Sequence, residues 1–341
     1  MNQTVTEFDI KNKSDQERNS YWRLLLFGLL ALILGGLPPV SFLAPIPLVF
    51  GMLLFGRAQT LVMGTLCLVI YFALTQITSH LPIHTGGVFI ISMIYAAAVS
   101  EIIYKGLSPV KGLVRAGTVI IAFMGFLLLS FALFSETPIE KLLENEVTQV
   151  VEVIKAQPGF KANTSEDALL FKEMFSNPKE IASSIISWSP TFLFVGTFLG
   201  LWVCLFFVLR NSFVWRKKVN YPFAKEDLLN FRVPDYMVWI LIAALSLMLG
   251  GNYLGGTWGE VIGGNVLYCL SIFYFFQGFG IFLDFLTFLK VGGFLRTFFV
   301  VFTIFLGGWR VLIVVGIFDL WVNFRKFLVR KNDSENEGDK K

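Results

Sequence analysis

Charge is what this chain has least of. Lys and Arg number 28 and Asp and Glu 24 among 341 residues, 15% in all, where a water-facing domain carries nearer a quarter. An ordinary soluble domain is therefore excluded, because its outside could not be covered. Cysteine is also sparse, and Cys67, Cys204 and Cys269 each stand alone inside an apolar run. They form no CxxC pair, which excludes a dithiol or zinc-ribbon centre and leaves them as packing residues. The two histidines, His80 and His84, flank Pro82, and the proline breaks the helix that a metal-binding pair at this spacing would need. No GxxxxGK[ST], HExxH or GxSxG run is present, so phosphate-loop, zincin and nucleophile-elbow chemistry have no carrier. No loop joins a basic stripe to base-stacking aromatics, which excludes nucleic acid as a partner. The pattern calls for no catalytic residue, no metal and no cofactor.

What the chain has instead is apolar length. Apolar residues make up 55%, Phe alone contributes 37, and the mean hydropathy is +0.68. The apolar runs cover 24–37, 42–56, 60–79, 87–104, 115–135, 188–209, 236–254, 263–289, 294–309 and 311–328. A helix needs about 20 residues to cross the hydrocarbon layer, so the expected fold is all-α, a polytopic integral membrane bundle of about eight to ten transmembrane segments. The first pair of runs is short and interrupted by Pro38, Pro39, Pro45 and Pro47; such irregular backbone survives in a membrane only when packed in protein or lining a wet cavity. The last pair is split at Gly307-Gly308-Trp309-Arg310 and reads as a hairpin.

The loops orient the bundle. Lys105, Lys111 and Arg115 share one short loop, and Arg210, Arg216, Lys217, Lys218, Lys225 and Arg232 dominate another. Both belong on the cytoplasmic side of a bacterial inner membrane by the positive-inside rule. Counting outward puts both termini, Arg57 and the Lys290–Arg296 turn on that side too. Five domains follow: a cytoplasmic tail (1–23) before a retained first anchor, N-terminal membrane helices (24–135), an extracytoplasmic insertion (136–187), C-terminal membrane helices (188–330), and a disordered tail (331–341). Thr137-Pro138-Ile139-Glu140 reads as a capping-box start with proline at the first helical position. Ile139, Leu142, Leu143, Val147, Val150, Val151 and Ile154 then recur at helical spacing, giving one apolar stripe. A second short helix is expected from Ser165 to Phe175. With nine carboxylates against five lysines, the insertion is an acidic cap on the membrane surface or a lid over an external cavity.

Polar groups inside apolar runs are costly and mark the bundle interior. Gln277 and Asp284 lie seven residues apart, on nearly one helix face, with Gly278 and Gly280 beside them. Together with Asn265 and Asn252 they form the candidate ligand-binding set. Equally, Gln277 could bond a neighbouring helix while Asp284 pairs with Lys290 or a basic loop. Asp319, half a span deep, needs a partner, either Arg325 or a residue of another helix. Arg325 reads as snorkelling to the inner boundary, and Asp235 after Pro234 reads as a helix N-cap.

Phe231-Arg232-Val233-Pro234-Asp235-Tyr236-Met237-Val238-Trp239, Gly264-Asn265, Phe276-Gln277-Gly278 and Gly316-Ile317-Phe318-Asp319-Leu320-Trp321-Val322-Asn323-Phe324-Arg325-Lys326 resemble the YybS-like family of predicted bacterial membrane proteins. That family is distantly similar to substrate-binding subunits of energy-coupling-factor transporters and to MreD-like cell-shape proteins. The resemblance implies a transport-related protein with a small-molecule cavity along 263–289, or a non-catalytic scaffold recruiting membrane partners in envelope assembly or division. Ala96/Ser100 is the nearest approach to the small-residue pair by which such subunits dock their partner.

Overall fold

The computed structural model describes residues 7–78, 82, 84–135, 137–156, 177–251 and 256–328. Asn252, His80, the expected helix at 165–175 and the tail at 331–341 lie outside them. Every regular element among the described residues is helical: α1 (Glu7–Gly35), α2 (Pro45–Phe55), α3 (Arg57–Ile77), α4 (His84–Tyr104), α5 (Pro109–Phe134), α6 (Ile139–Ala156), α7 (Pro178–Arg210), α8 (Lys225–Leu229), α9 (Met237–Leu249), α10 (Gly256–Phe288), α11 (Gly293–Phe305) and α12 (Trp309–Val322). Five of these, α3, α4, α5, α7 and α10, are long and apolar enough to cross a membrane. A sixth span exists if α11 and α12 are one crossing, but a bend of 98° separates them. The remaining apolar helices, Ser20–Gly35, Val40–Phe55 and α9, are shorter.

The chain divides into two compact units, Met1–Thr118 with Thr197–Phe231, and Val119–Gly196 with Arg232–Lys341. In the first, α1 to α4 pack on one another. The prolines act as the sequence suggests: Pro38–Leu43 forms a 3-10 turn, and Pro45 opens α2, where a missing N–H costs nothing. Gly56, at φ +99°, breaks α2 from α3 in a conformation that side chains disfavour. Leu48, Val49, Met52 and Leu53 of α2 are buried together with Phe89, Ala96, Val99, Ile102 and Ile103 of α4. Three polar contacts gather loop ends at one end of this unit. Arg57 bonds Glu101, Lys218 Nζ donates to Leu54 O at 2.5 Å, and the Tyr221 hydroxyl donates to Leu107 O at 2.7 Å. Burial, with Asp227 nearby, pushes the Tyr221 phenol well above its usual range.

In the second unit α10 is the central element, packed on α9 and, more extensively than any other helix pair, on α12. A Cβ at Gly263 would meet Ala244 O and Met248 N at 2.7 Å. At Gly278 it would strike the Leu312 carbonyl oxygen, and at Gly316 the Tyr274 carbonyl oxygen. The two backbones thus touch reciprocally, each glycine hydrogen facing a carbonyl, a contact that Cα–H···O attraction favours. Helix α11, by contrast, has no buried residue. Helix α6 begins at Ile139 with Pro138 just outside, its carbonyl accepting the Lys141 N–H, so the proline precedes the helix instead of occupying its first position. On α6, Val151 is buried, while Val150 and Val153 are 55% and 64% exposed.

Candidate functional site

Gln277, the residue the sequence singled out most clearly, is 3% exposed. Its carbonyl oxygen accepts the Val233 N–H at 2.8 Å, and its amide nitrogen donates to Asp319 Oδ2 at 2.9 Å. Both ends of the side chain are thus engaged within the protein. Val233 precedes Pro234 in the extended segment entering α9, where no helical partner serves its N–H, and Gln277 supplies the missing acceptor. Asp319 does double duty. Its other oxygen, Oδ1, accepts the Phe324 N–H at 2.8 Å, just beyond the point where Asn323 ends α12 in a left-handed conformation. Asn tolerates that conformation better than most residues. The result is a relay, Val233–Gln277–Asp319–Phe324, tying α10 to both ends of the C-terminal segment.

Two turns further along α10, Asp284 takes neither Lys290 nor a basic loop as its ion-pair partner. Its carboxylate, 47% exposed, stands 3.4 Å from Nε of Arg325, whose side chain is 8% exposed. This corrects the expectation that Arg325 snorkels into water: it is buried and ion-paired. The correction for Asp235 is similar. Helix α9 starts at Met237 with Tyr236 as N-cap and no side-chain capping bond; Asp235 is exposed and contributes only its carbonyl, to the Val238 N–H. Aspartates 284 and 319 lie on touching helices, yet each is held by a different partner, Arg325 for one and Gln277 for the other.

Asn265 is placed elsewhere, against α7, for a reason the sequence reading missed. Pro190 lies inside α7 and cannot donate to Ile186 O, and its ring disturbs the ladder around it. Ser189 Oγ fills the first gap, donating to Ile186 O at 2.7 Å. Asn265 fills the second: its Oδ1 accepts both the Thr191 N–H at 3.1 Å and the Thr191 hydroxyl at 2.7 Å, while its Nδ2 donates to Ser187 O at 2.9 Å. In an unbroken helix Ser187 O and Thr191 N–H would bond each other. One asparagine has been inserted between them, which is how a membrane protein tolerates an internal proline. The signal was present: a proline amid an apolar run leaves orphan groups that some neighbouring amide must meet. Trp188 packs edge-on to Tyr268 at 5.6 Å and Phe194 to Phe273 at 5.7 Å along the same seam.

Tyr274, one turn before Gln277, was also missed. It is fully buried, and its hydroxyl has no hydrogen-bond partner in the described structure. No group of three or more His, Cys, Asp or Glu is placed to hold a metal among the described residues.

Several long apolar helices, with polar side chains bonding helix to helix across their faces, define a multi-pass α-helical membrane protein. Residues 24–320 match the DUF2232 family, described as predicted membrane proteins, and the chain belongs to that family. Neither the curated proteins nor the solved structures contain a match to it.

Proposed function

We propose that the protein is a non-catalytic platform in the bacterial cytoplasmic membrane that works by presenting surfaces to other membrane proteins, in envelope assembly or division, as an MreD-like relationship would imply. One observation carries this reading. Gln277, Asp319, Asn265, Asp284 and Arg325 are all engaged within the chain, so these groups are committed to holding helices together. In this reading the membrane is crossed ten times with both termini in the cytoplasm, the shorter helices and the bent α11–α12 pair included. The 136–187 insertion faces outward with the exposed valines of α6 available to a partner. Single-cysteine labelling from each side tests the arrangement, and labelling of residue 335 from outside would overturn it.

A second reading, a transport-related subunit with a small-molecule cavity along α10, draws support from Tyr274. A buried hydroxyl without a partner costs about 1–3 kcal/mol and marks a place where a ligand or water can be received. A thermal-shift screen of the purified protein separates the two. A ligand whose stabilisation disappears in Tyr274→Phe establishes the cavity. No ligand response, together with loss of a membrane partner on changing α6, supports the platform.

A further inference from the structure

We propose that Arg57, Lys105 and Lys218, at the break between α2 and α3, form a binding site for the phosphate of an anionic phospholipid headgroup. Three cations here face one carboxylate. Glu101 bonds Arg57 and stands 2.5 Å from Lys105 Nζ, leaving the group with an excess of two positive charges. Arg57 is held flat, its guanidinium 4.5 Å over the Tyr104 ring, while the Tyr104 hydroxyl donates to Met52 O at 2.8 Å. This posture uses one nitrogen for Glu101 and the face for the ring. The remaining nitrogens, Nε and Nη2, are shielded from water and have no acceptor in the described structure. A guanidinium presents its donors as a planar fork suited to two phosphate oxygens, and the edge left unserved here is such a fork.

The surroundings fit a headgroup. Lys218 reaches the α2 end from its loop, donating to Leu54 O and lying 5.6 Å over the Phe55 ring. That fixes its charge beside the break and leaves two ammonium hydrogens for another acceptor. At Gly56 nothing lies within 4 Å of where a Cβ would stand, so the break is open on that side. Arg57 is 36% exposed as a side chain, so the residue carrying the unserved edge is reached from the surface. The site lies where α2 ends and α3, an apolar helix long enough to cross a membrane, begins. Basic groups near a membrane surface each gain about 1 kcal/mol from anionic lipid, and fixed geometry adds selectivity to that general attraction.

The test uses the full chain, purified in a neutral detergent and stripped of lipid. Thermal stability is read after adding phosphatidylglycerol, phosphatidylcholine or inorganic phosphate. Phosphatidylglycerol alone is expected to raise the melting temperature, and the shift should be at least halved in Lys218→Gln and in the charge-balanced pair Arg57→Gln with Glu101→Gln. Lys217→Gln, an equal change of charge one residue away, should keep the full shift. The proposal is overturned if phosphatidylglycerol gives no shift, if both site variants keep it, or if Lys217→Gln loses as much. Inorganic phosphate reproducing the shift would overturn the lipid assignment in favour of a soluble anion.

Discussion

Replacing Gln277 by Leu removes an acceptor and a donor at once, and the structure says which loss matters more. The Val233 N–H would be left buried beside Pro234 without an acceptor, at about 1–3 kcal/mol. The Asp319 carboxylate would lose one charge-assisted bond, about 1.5–3 kcal/mol, while keeping the Phe324 N–H. Leucine recovers part of this by fitting the apolar surroundings, so the net loss should be about 2–4 kcal/mol. The share belonging to the Gln277–Asp319 pair itself should be smaller. Interhelical polar contacts in membrane proteins average only about 0.6 kcal/mol in double-mutant cycles, because the unfolded chain also finds partners. We therefore expect Gln277→Leu to cost clearly more than its coupling to Asp319→Leu, which should fall near 1 kcal/mol. Reversible unfolding of the purified protein by SDS in mixed micelles measures all four corners of the cycle. A Gln277→Leu loss below about 0.5 kcal/mol, or a coupling indistinguishable from zero, would refute the relay.

Further outcomes follow from other contacts. Gly278→Ala should cost about 1–3 kcal/mol or more, since its methyl would strike the Leu312 carbonyl, whereas Gly125→Ala, with nothing within 4 Å, should be neutral or slightly stabilising; the same unfolding assay compares them. Asn265→Leu should destabilise by about 2 kcal/mol because it orphans the Thr191 N–H and Ser187 O. Pro190→Ala should rescue much of that loss by letting the two groups bond each other, and strictly additive effects would show that Asn265 acts otherwise. Asp284→Ala should reduce stability by about 1–2 kcal/mol through exposing buried Arg325 to the loss of its ion pair. Its effect should exceed that of Asp227→Ala, whose carboxylate is exposed and only bonds the Ala224 N–H; equal tolerance of the two would mean that Asp284 is served by interfacial water.

Much of the architecture was legible in the amino-acid order because the bilayer imposes a one-dimensional requirement. A run of about 20 apolar residues is a span wherever it lands, and prolines at 38, 39, 45 and 47 break helices locally. That is why the helical class and the break before the second run emerge without coordinates. Asn265, Gln277, Asp284 and Asp319 were likewise visible as residues that must have partners, because an unpaired polar group is expensive in an apolar medium. Which partners they take was not visible. Gln277 and Asp319 are 42 residues apart, and Thr191 and Asn265 are 74 apart. Nothing in local propensity encodes which helix faces meet, or that Gly278 and Gly316 let α10 and α12 touch at the backbone. The span count shows the same division, since a 13-residue helix and a 14-residue helix bent by 98° satisfy an apolar pattern that a hairpin satisfies equally well. Hydrophobic length alone determines that this chain enters a membrane. Its polar residues became structural ties or candidate sites only through tertiary packing, because a hydrogen bond depends on a distance between two helices and hydropathy does not.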